Sequence, residues 1–417
     1  MTKTPPNSLW IRNARAFPNQ SLPEHASTTA AVIGGGIAGV STALHLARLG
    51  IEVVLFERGE IASRASGRND GQLLLGLGEH YNRIHGQFGH EQAPVLWDFL
   101  QQNHDALLQE VRDSGIECDL HQAGGLRLAE TEHEWRELEQ AAALLRAENK
   151  PHELLSADEV QARLPGSHGF FGGLFLAAEA IVQPAAMVRG LAEQATKHGA
   201  RMVQNAEVTQ VTGEPGGFVV ALADGRKIDA AIVVHCTSAL GRDLDPSGLL
   251  QRTVFPFRGQ ITATEPLPAE LQKQFPNCAM SSNFCYEYFR MHEGRFVIGG
   301  KRWSVPGEEL NTVDDHSHNE QITANLLEYA RAHFPALQDV AFPHVWTGIM
   351  AGTPDGLPLC GALPGQPGVF ALLGFNGYGL GFAFLAGRCL AEQIVGADTG
   401  PTHAALPMFA PRRLQGS

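Results

Sequence analysis

AAVIGGGIAGVSTALHLARLGIEVVLFE, residues 30–57, is the stretch from which the fold is read. A short apolar run, Ala30–Ile33, leads into Gly34-Gly-Gly36-Ile-Ala-Gly39. Apolar residues at helical spacing follow over Ala38–Leu49, and Gly50 stands where a helix C-terminus is usually closed. Ile51–Phe56 is a second apolar run, and Glu57 comes 18 positions after Gly39. Glycines let a strand turn tightly into a helix and let backbone come close to a pyrophosphate at the helix N-terminus. An acid at the end of the second strand accepts hydrogen bonds from ribose hydroxyls and repels a 2′-phosphate. The stretch therefore predicts an adenine-dinucleotide unit of the Rossmann kind, not one for NADP. Its contacts are expected from Gly34, Gly36, Ile37, Ala38, Gly39, Glu57 and the adjoining Arg58.

A chain of 417 residues exceeds what one simple core serves, so two interwoven domains are expected. Charged residues make up 18% and hydrophobic residues 44%, a globular composition. With 31 Lys+Arg against 44 Asp+Glu the formal charge is −13, which argues against nucleic acid or an anionic membrane as partner. Six scattered cysteines form no CxxC pair and no metal-ligand spacing, so no metal site and a reducing, cytoplasmic setting are expected. No apolar segment reaches the ~20 residues of a membrane span, and the N-terminus lacks a signal-peptide pattern. Residues 1–27, rich in proline and polar groups, read as an arm packed on the surface.

Further along, helical periodicity marks Glu91–Ser114, Glu132–Ala147, Pro184–His198 and Asn319–His333. Strands are expected at Arg201–Val203 and Gly368–Leu373, and a hairpin around Asp224-Gly225. The region from about 253 to 302 alternates strands rich in Phe, Tyr, Val and Ile. A closing helix ends near Ile394.

Two more segments carry chemistry. Ser63-Arg-Ala-Ser66-Gly67-Arg68-Asn69-Asp70-Gly71-Gln72 offers backbone N–H groups, hydroxyls and guanidinium charge to a second phosphate, or it is a polar surface loop. In the tail, Gly374-Phe-Asn376-Gly377-Tyr378-Gly379-Leu380-Gly381 precedes a helix. Bare backbone there permits a flat ring to lie against it, and the helix N-terminus favours negative charge. In Cys285-Tyr286-Glu-Tyr288-Phe-Arg290, period-2 alternation puts Tyr286, Tyr288 and Arg290 on one strand face. They form a wall with one cation if that face looks inward, and are ordinary strand residues if it looks outward.

Together these segments resemble the D-amino-acid oxidase-like superfamily of FAD oxidoreductases. The resemblance is greatest to its γ-glutamylputrescine oxidase-like branch, with glycine and sarcosine oxidases as relatives. It extends through Ala180-Ile-Val-Gln-Pro184, Gly259–Leu267, Gly294–Gly300 and the tail from Trp346, and so covers nearly the whole chain. It implies an α/β protein, α+β overall: a Rossmann-like FAD-binding domain with a mixed, largely antiparallel sheet as substrate domain. The FAD domain is expected from 28–115, 180–245 and 345–417, and the substrate domain from 116–179 and 246–344. The implied cofactor is FAD, contacted also by Ser66, Gly67, Arg68, Asn69, Gly71, Gln72, Val208, Thr237, Gly348, Gly374, Asn376, Gly377, Gly379 and Leu380. The implied chemistry is oxidation of a C–N bond of a small amine or amino-acid derivative by hydride transfer, followed by imine hydrolysis. O2 is the expected acceptor; the alternatives are a dehydrogenase with another acceptor, or a flavoprotein with a non-catalytic, regulatory role. Tyr286, Tyr378, Met350 and Arg290 are the expected catalytic residues.

Three departures refine this. Sarcosine-oxidase relatives attach FAD through a cysteine whose place is taken by Gly348, so noncovalent FAD is expected. The carboxylate-binding arginine of Trp-x-Gly-x-Arg is Met350, which cannot make a bidentate charged pair. An α-amino acid is thereby disfavoured unless Arg290 or Arg258 supplies the cation from elsewhere. The lysine that assists oxygen reduction in sarcosine oxidases corresponds to Gly381, which leaves the acceptor open.

Overall fold

The computed structural model describes residues 8–22, 26–397 and 400–415. Residues 1–7 and 23–25 of the expected arm lie outside them. Ala26–Ile33 and Val53–Phe56 pair in parallel, Ala30 opposite Val53 and Ile33 opposite Phe56. The helix between them runs Ile37–Arg48. The sheet continues outward from this pair in the order Leu359–Ala362, Val369–Leu373, Lys227–His235, Ala26–Ile33, Val53–Phe56, Arg201–Val203. All neighbours are parallel except the first pair, and Val208–Glu214 with Gly217–Leu222 add an antiparallel meander to Lys227–His235. Strands buried on both faces need apolar runs rather than alternation, which is why Ala30–Ile33 and Val53–Phe56 read as they do.

The closing helix Gly379–Ile394 packs on Ile37–Arg48 through small residues. Ser41 Oγ donates to the Phe384 carbonyl at 2.8 Å, and a Cβ on Gly387 would stand 2.6 Å from Ser41 Oγ. Both helices thereby bring their N-termini to the same side of the sheet's C-terminal edge, where ligands of open α/β sheets bind.

A second sheet runs His344–Gly352, Phe255–Ala263, Arg295–Gly299, Glu287–His292, Ala279–Ser282, Gly125–Ala129, Gly172–Leu176, Glu153–Ser156. It is antiparallel except where Ala279–Ser282 meets Gly125–Ala129. One face packs on Glu320–His333 through Phe289, Phe296, Phe334 and Leu326. The mixed α/β class expected from sequence is the architecture observed.

Three expectations are corrected. His344–Gly352, placed by the boundary at 345 with the dinucleotide domain, pairs along its whole length with Phe255–Ala263 in the second sheet. Its alternation fits either sheet, and only the partner strand decides. The helix expected at Glu91–Ser114 runs Tyr81–Asp113 and turns at Gly89 (φ 78°), where the extra N-terminal turns meet it. The arm is not confined to the surface: it folds as Leu9–Asn13, with Leu9 and Trp10 buried. Trp10 fills the junction of the two sheets, edge-on to His292 (4.5 Å) and Trp346 (6.0 Å), and Gln183 Nε2 donates to its carbonyl at 2.7 Å. A single tryptophan in a proline-rich stretch has no periodicity to announce its burial.

Trp10→Ala should therefore cost about 3–5 kcal/mol, the range for emptying a fully buried aromatic site. Denaturant unfolding measures it, and a loss below about 1 kcal/mol would show that the arm contributes no core.

Candidate functional site

A cavity of about 780 Å³ opens along the C-terminal edge of the first sheet and passes beneath the second. Its floor is the glycine turn. Gly34 has φ +116°, and a Cβ there would overlap the Cys236 carbonyl, while one on Gly39 would overlap the Gly34 carbonyl. Only glycine lets helix and strand meet this closely. Glu57, buried at the strand end, accepts from Gly35 N (2.7 Å) on one carboxylate oxygen and from Gly59 N (2.8 Å) on the other. Each oxygen keeps a lone pair toward the cavity. Ser66 Oγ accepts from Ile37 N at 2.9 Å, and the N-cap residue Gly36 has no side chain to take the others, so the remaining first-turn N–H groups lie at the cavity lined by Gly36, Ile37 and Ala38. Thr237 Oγ1 is buried against the same cavity without a protein partner.

The far end is built by the tail. Asn376, at φ +53°, locks the glycine turn: its Nδ2 donates to the Gly374 carbonyl (3.0 Å) and Thr353 Oγ1 (3.1 Å), and its Oδ1 accepts from Thr353 N (3.0 Å). The uncapped N-terminus of Gly379–Ile394 faces the cavity there. Free N–H groups at two helix ends, glycines that tolerate no Cβ and an unpartnered Thr237 hydroxyl together fit an elongated dinucleotide.

The sequence-expected residues divide by position. Gly34, Gly36, Ile37, Ala38, Glu57, Arg58, Ser66, Arg68, Asn69, Gln72, Val208, Thr237, Gly348, Asn376, Gly377, Gly379 and Leu380 line the cavity, as do Tyr286, Tyr378 and Met350. Gly39, Gly67, Gly71 and Gly374 lie behind the wall at points of close approach: a Cβ on Gly67 would overlap the Ala62 carbonyl, and one on Gly71 the Val182 carbonyl. Arg68 lines the cavity with much of its guanidinium engaged in the wall. Its guanidinium donates to the carbonyls of Ser63 (2.9 Å), Asp315 (3.1 Å) and Thr347 (3.2 Å) and pairs with the Asp315 carboxylate at 3.1 Å.

Arg290 does not reach the cavity. It shares a strand face with Tyr288, but the Asp70-Gly71 turn covers it, and its Nη1 donates to the carbonyls of Val182 (2.7 Å), Asp70 (3.2 Å) and Gly71 (3.2 Å). The ring of Trp10 lies 5.5 Å from it. Burial pulls its pKa down to about 10. Arg258 is likewise engaged outside the cavity, with Glu309 (Nε to Oε2, 2.6 Å) and the carbonyls of Asp314 and Ser317. Tyr286 stands in a turn rather than on the strand, because Asn283, Phe284 and Cys285 adopt positive φ and the strand begins at Glu287.

The second sheet's wall is Tyr286, Tyr288, Phe255, Phe257 and Met350, met from the tail by Tyr378. Burial raises the hydroxyls of Tyr288 and Tyr378 well above the usual phenol range, so both stay protonated donors. Met350 occupies the space between the two walls: a Cβ on Gly377 would lie 3.5 Å from its Sδ, and one on Gly259 2.7 Å from its Cε. The cation of this region is one that sequence reading passed over. Arg302 lies 5.0 Å over the Phe257 ring and donates to the Glu308 carbonyl at 2.8 Å and its carboxylate at 3.3 Å. Its loop position carries no periodic signal. Cys236 and Cys285 also line the cavity, with burial pushing their thiols up to about 12 and about 11. Away from it, Cys389, Glu392 and His403 bring their donor atoms within 4.8 Å of one another. Arg388 and His403 already occupy Glu392, each at 2.9 Å.

Residues 29–393 match the DAO family, described as FAD dependent oxidoreductase. The gamma-glutamylputrescine oxidoreductase of Escherichia coli K12 is 28% identical over 410 residues, 97% of this chain and 92% of that protein. A glycine oxidase of Bacillus licheniformis is 28% identical over 375 residues, 88% of this chain and 92% of its own length. The crystal structure of glycine oxidase from Geobacillus kaustophilus shares the fold with a TM-score of 0.75 at 23% identity, over 91% of this chain and 98% of that one.

Arg290→Met would strip the donor from the carbonyls of Asp70, Gly71, Val182 and Met291 and should cost about 3 kcal/mol or more. Thermal unfolding with bound flavin reads this; an unchanged midpoint would mean the carbonyls find other donors.

Proposed function

The chain belongs to the DAO family of FAD-dependent oxidoreductases, and from that membership we propose that it oxidises the C–N bond of a small amine whose reacting carbon bears no carboxylate. Met350 carries this reading: the position from which relatives' arginine would grip a carboxylate holds a thioether, and Arg290 and Arg258 are both engaged outside the cavity. The gamma-glutamylputrescine oxidoreductase and glycine oxidase among its relatives are named for an amine derivative and an amino acid, and the aromatic wall here suits the former.

FAD, when bound, supplies the hydride acceptor. Glu57, Thr237 and the N-terminus of Ile37–Arg48 would hold its dinucleotide part, and the turn Gly374–Gly379 its ring end. Tyr286, Tyr288 and Tyr378 exclude water and set the amine's approach, while the helix end at Gly379 favours negative charge nearby. We infer noncovalent attachment: the thiolate is the form of cysteine that bonds to carbon, and the thiols facing the cavity are held protonated at neutral pH. A second reading concerns the acceptor. No lysine lines the cavity among the described residues, which favours a dehydrogenase passing electrons to something other than O2.

Anaerobic mixing of the FAD-loaded protein with primary and secondary amines should bleach the absorption near 450 nm, and readmitted air should restore it quickly only if O2 is the acceptor. Bleaching by no amine would overturn the reading. Acid precipitation should leave the flavin in the supernatant; flavin remaining on the pellet would show a covalent bond.

A further inference from the structure

The carboxylates lining the cavity differ in how they are partnered. Glu57 holds two backbone N–H groups, Glu79 pairs with Arg83 at 3.2 Å, and Glu308 pairs with Arg302 at 3.3 Å. Glu207 and Asp243 lie exposed at the dinucleotide end. Asp70 has no cation within 4 Å among the described residues, and its carboxylate receives one long bond, from Gln72 N at 3.4 Å.

Asp70 is also held in place. Arg290 binds the Asp70 and Gly71 carbonyls from behind, and Asn69 Oδ1 accepts from Gly71 N at 2.8 Å. The groups facing it are Arg290 and Tyr288 from the strand Glu287–His292 and Gln72 from its own turn. Arg290 gives Nε and Nη1 to carbonyls and leaves Nη2 without a partner among the described residues, its charge reaching Asp70 only from beyond contact distance. The Tyr288 hydroxyl is protonated, and Gln72 Nε2 is turned away to the carbonyls of Met280 (3.3 Å) and Phe289 (3.1 Å). Arg68, on the same loop, is spent on Asp315. A carboxylate fixed at the wall of an aromatic cavity with no cation in contact fits a cation brought by the ligand.

We propose that Asp70 binds the ammonium group of the substrate and takes its proton before oxidation. This rests on the amine-oxidising reading above. The N–H bond breaks, the proton goes to an Asp70 oxygen, and its electron pair stays on nitrogen as the lone pair that hydride loss from the adjacent carbon requires. A neutral amine and a neutral carboxyl result, with no other reactant. Burial, partly offset by the Gln72 N–H and then by Arg290, pushes the Asp70 carboxyl up to about 6. The ammonium-binding carboxylate is thus present above pH 6 and lost as pH falls through that value.

The test uses the full FAD-loaded protein and tert-butylamine, an amine with no hydrogen on the adjacent carbon and therefore not oxidisable. Calorimetry in buffers of different ionisation enthalpy, with the flavin spectrum followed alongside, gives affinity and proton count between pH 5 and 8. The wild type should bind about tenfold more weakly per pH unit below 6. Asp70→Asn should bind at least about tenfold more weakly at pH 7.5 and lose the pH limb. Asp70→Glu, keeping the charge, should retain the limb, and Asp70→Ser replaces Asn if that variant fails to hold flavin. An Asn variant that matches the wild type in affinity or limb overturns the proposal, as does a wild type that does not bind the amine. The outcomes separate from those of the previous section: Asp70-dependent binding without bleaching by any amine would sink oxidation and keep the cation site, while bleaching with an unaltered Asn variant would do the reverse.

Discussion

The guanidinium of Arg290 joins the two halves of this molecule. It rises from the second sheet, is fully buried, and donates to the carbonyls of Asp70, Gly71 and Val182, which belong to the loop and strand flanking the dinucleotide unit. Burying a charge without a contacting acid is costly, and several aligned carbonyl dipoles offset that cost only if all of them hold their positions. The constraint therefore runs both ways. The cation fixes the Asp70-Gly71 turn, and the turn fixes how the second sheet lies over the cavity. Trp10, packed on the same guanidinium, seals the junction from the outside.

That arrangement divides the labour between the sheets. The first sheet presents mainly backbone to the cavity: glycines, two helix N-termini and the acid Glu57, features that serve a dinucleotide of this shape. The second presents side chains: aromatic rings, a thioether and an arginine already neutralised by Glu308. The side chains that cover the cavity thus come mainly from the second sheet, with Asp70 and Tyr378 added from the loop and the tail.

The parts of this design that were legible in the sequence are those where one residue type alone satisfies a local backbone demand. Gly34 and Gly39 cannot bear a Cβ, so the turn announces itself. The strands beside it are buried on both faces and read as unbroken apolar runs. Legibility fails where the answer depends on what crosses from elsewhere. Alternation correctly put Tyr288 and Arg290 on one face, but nothing local says that the Asp70-Gly71 turn lies across that face and takes Arg290 out of the cavity. Tyr286 left the pattern because three consecutive residues with positive φ precede the strand, and none of them is glycine. His344–Gly352 could have joined either sheet, and its nine-residue register with Phe255–Ala263 is a long-range choice. Arg302 and Glu308 sit in an irregular segment whose Gly307, Glu308, Glu309 and Asn311 all have positive φ, so no period could have pointed to them.

The position of Met350 follows from the same division. It lies on the strand of the second sheet that passes nearest the tail's glycine turn, between Gly259 and Gly377, both of which leave room that a long side chain fills. The neighbouring Tyr288 and Tyr378 hydroxyls remain protonated and offer no charge to a cation in that space. A thioether needs no partner and packs against rings from either side. Asp70, on the same cavity, has no cation within 4 Å among the described residues. A thioether on one wall and a carboxylate without a contacting cation on another are the two features on which the proposed cation site rests.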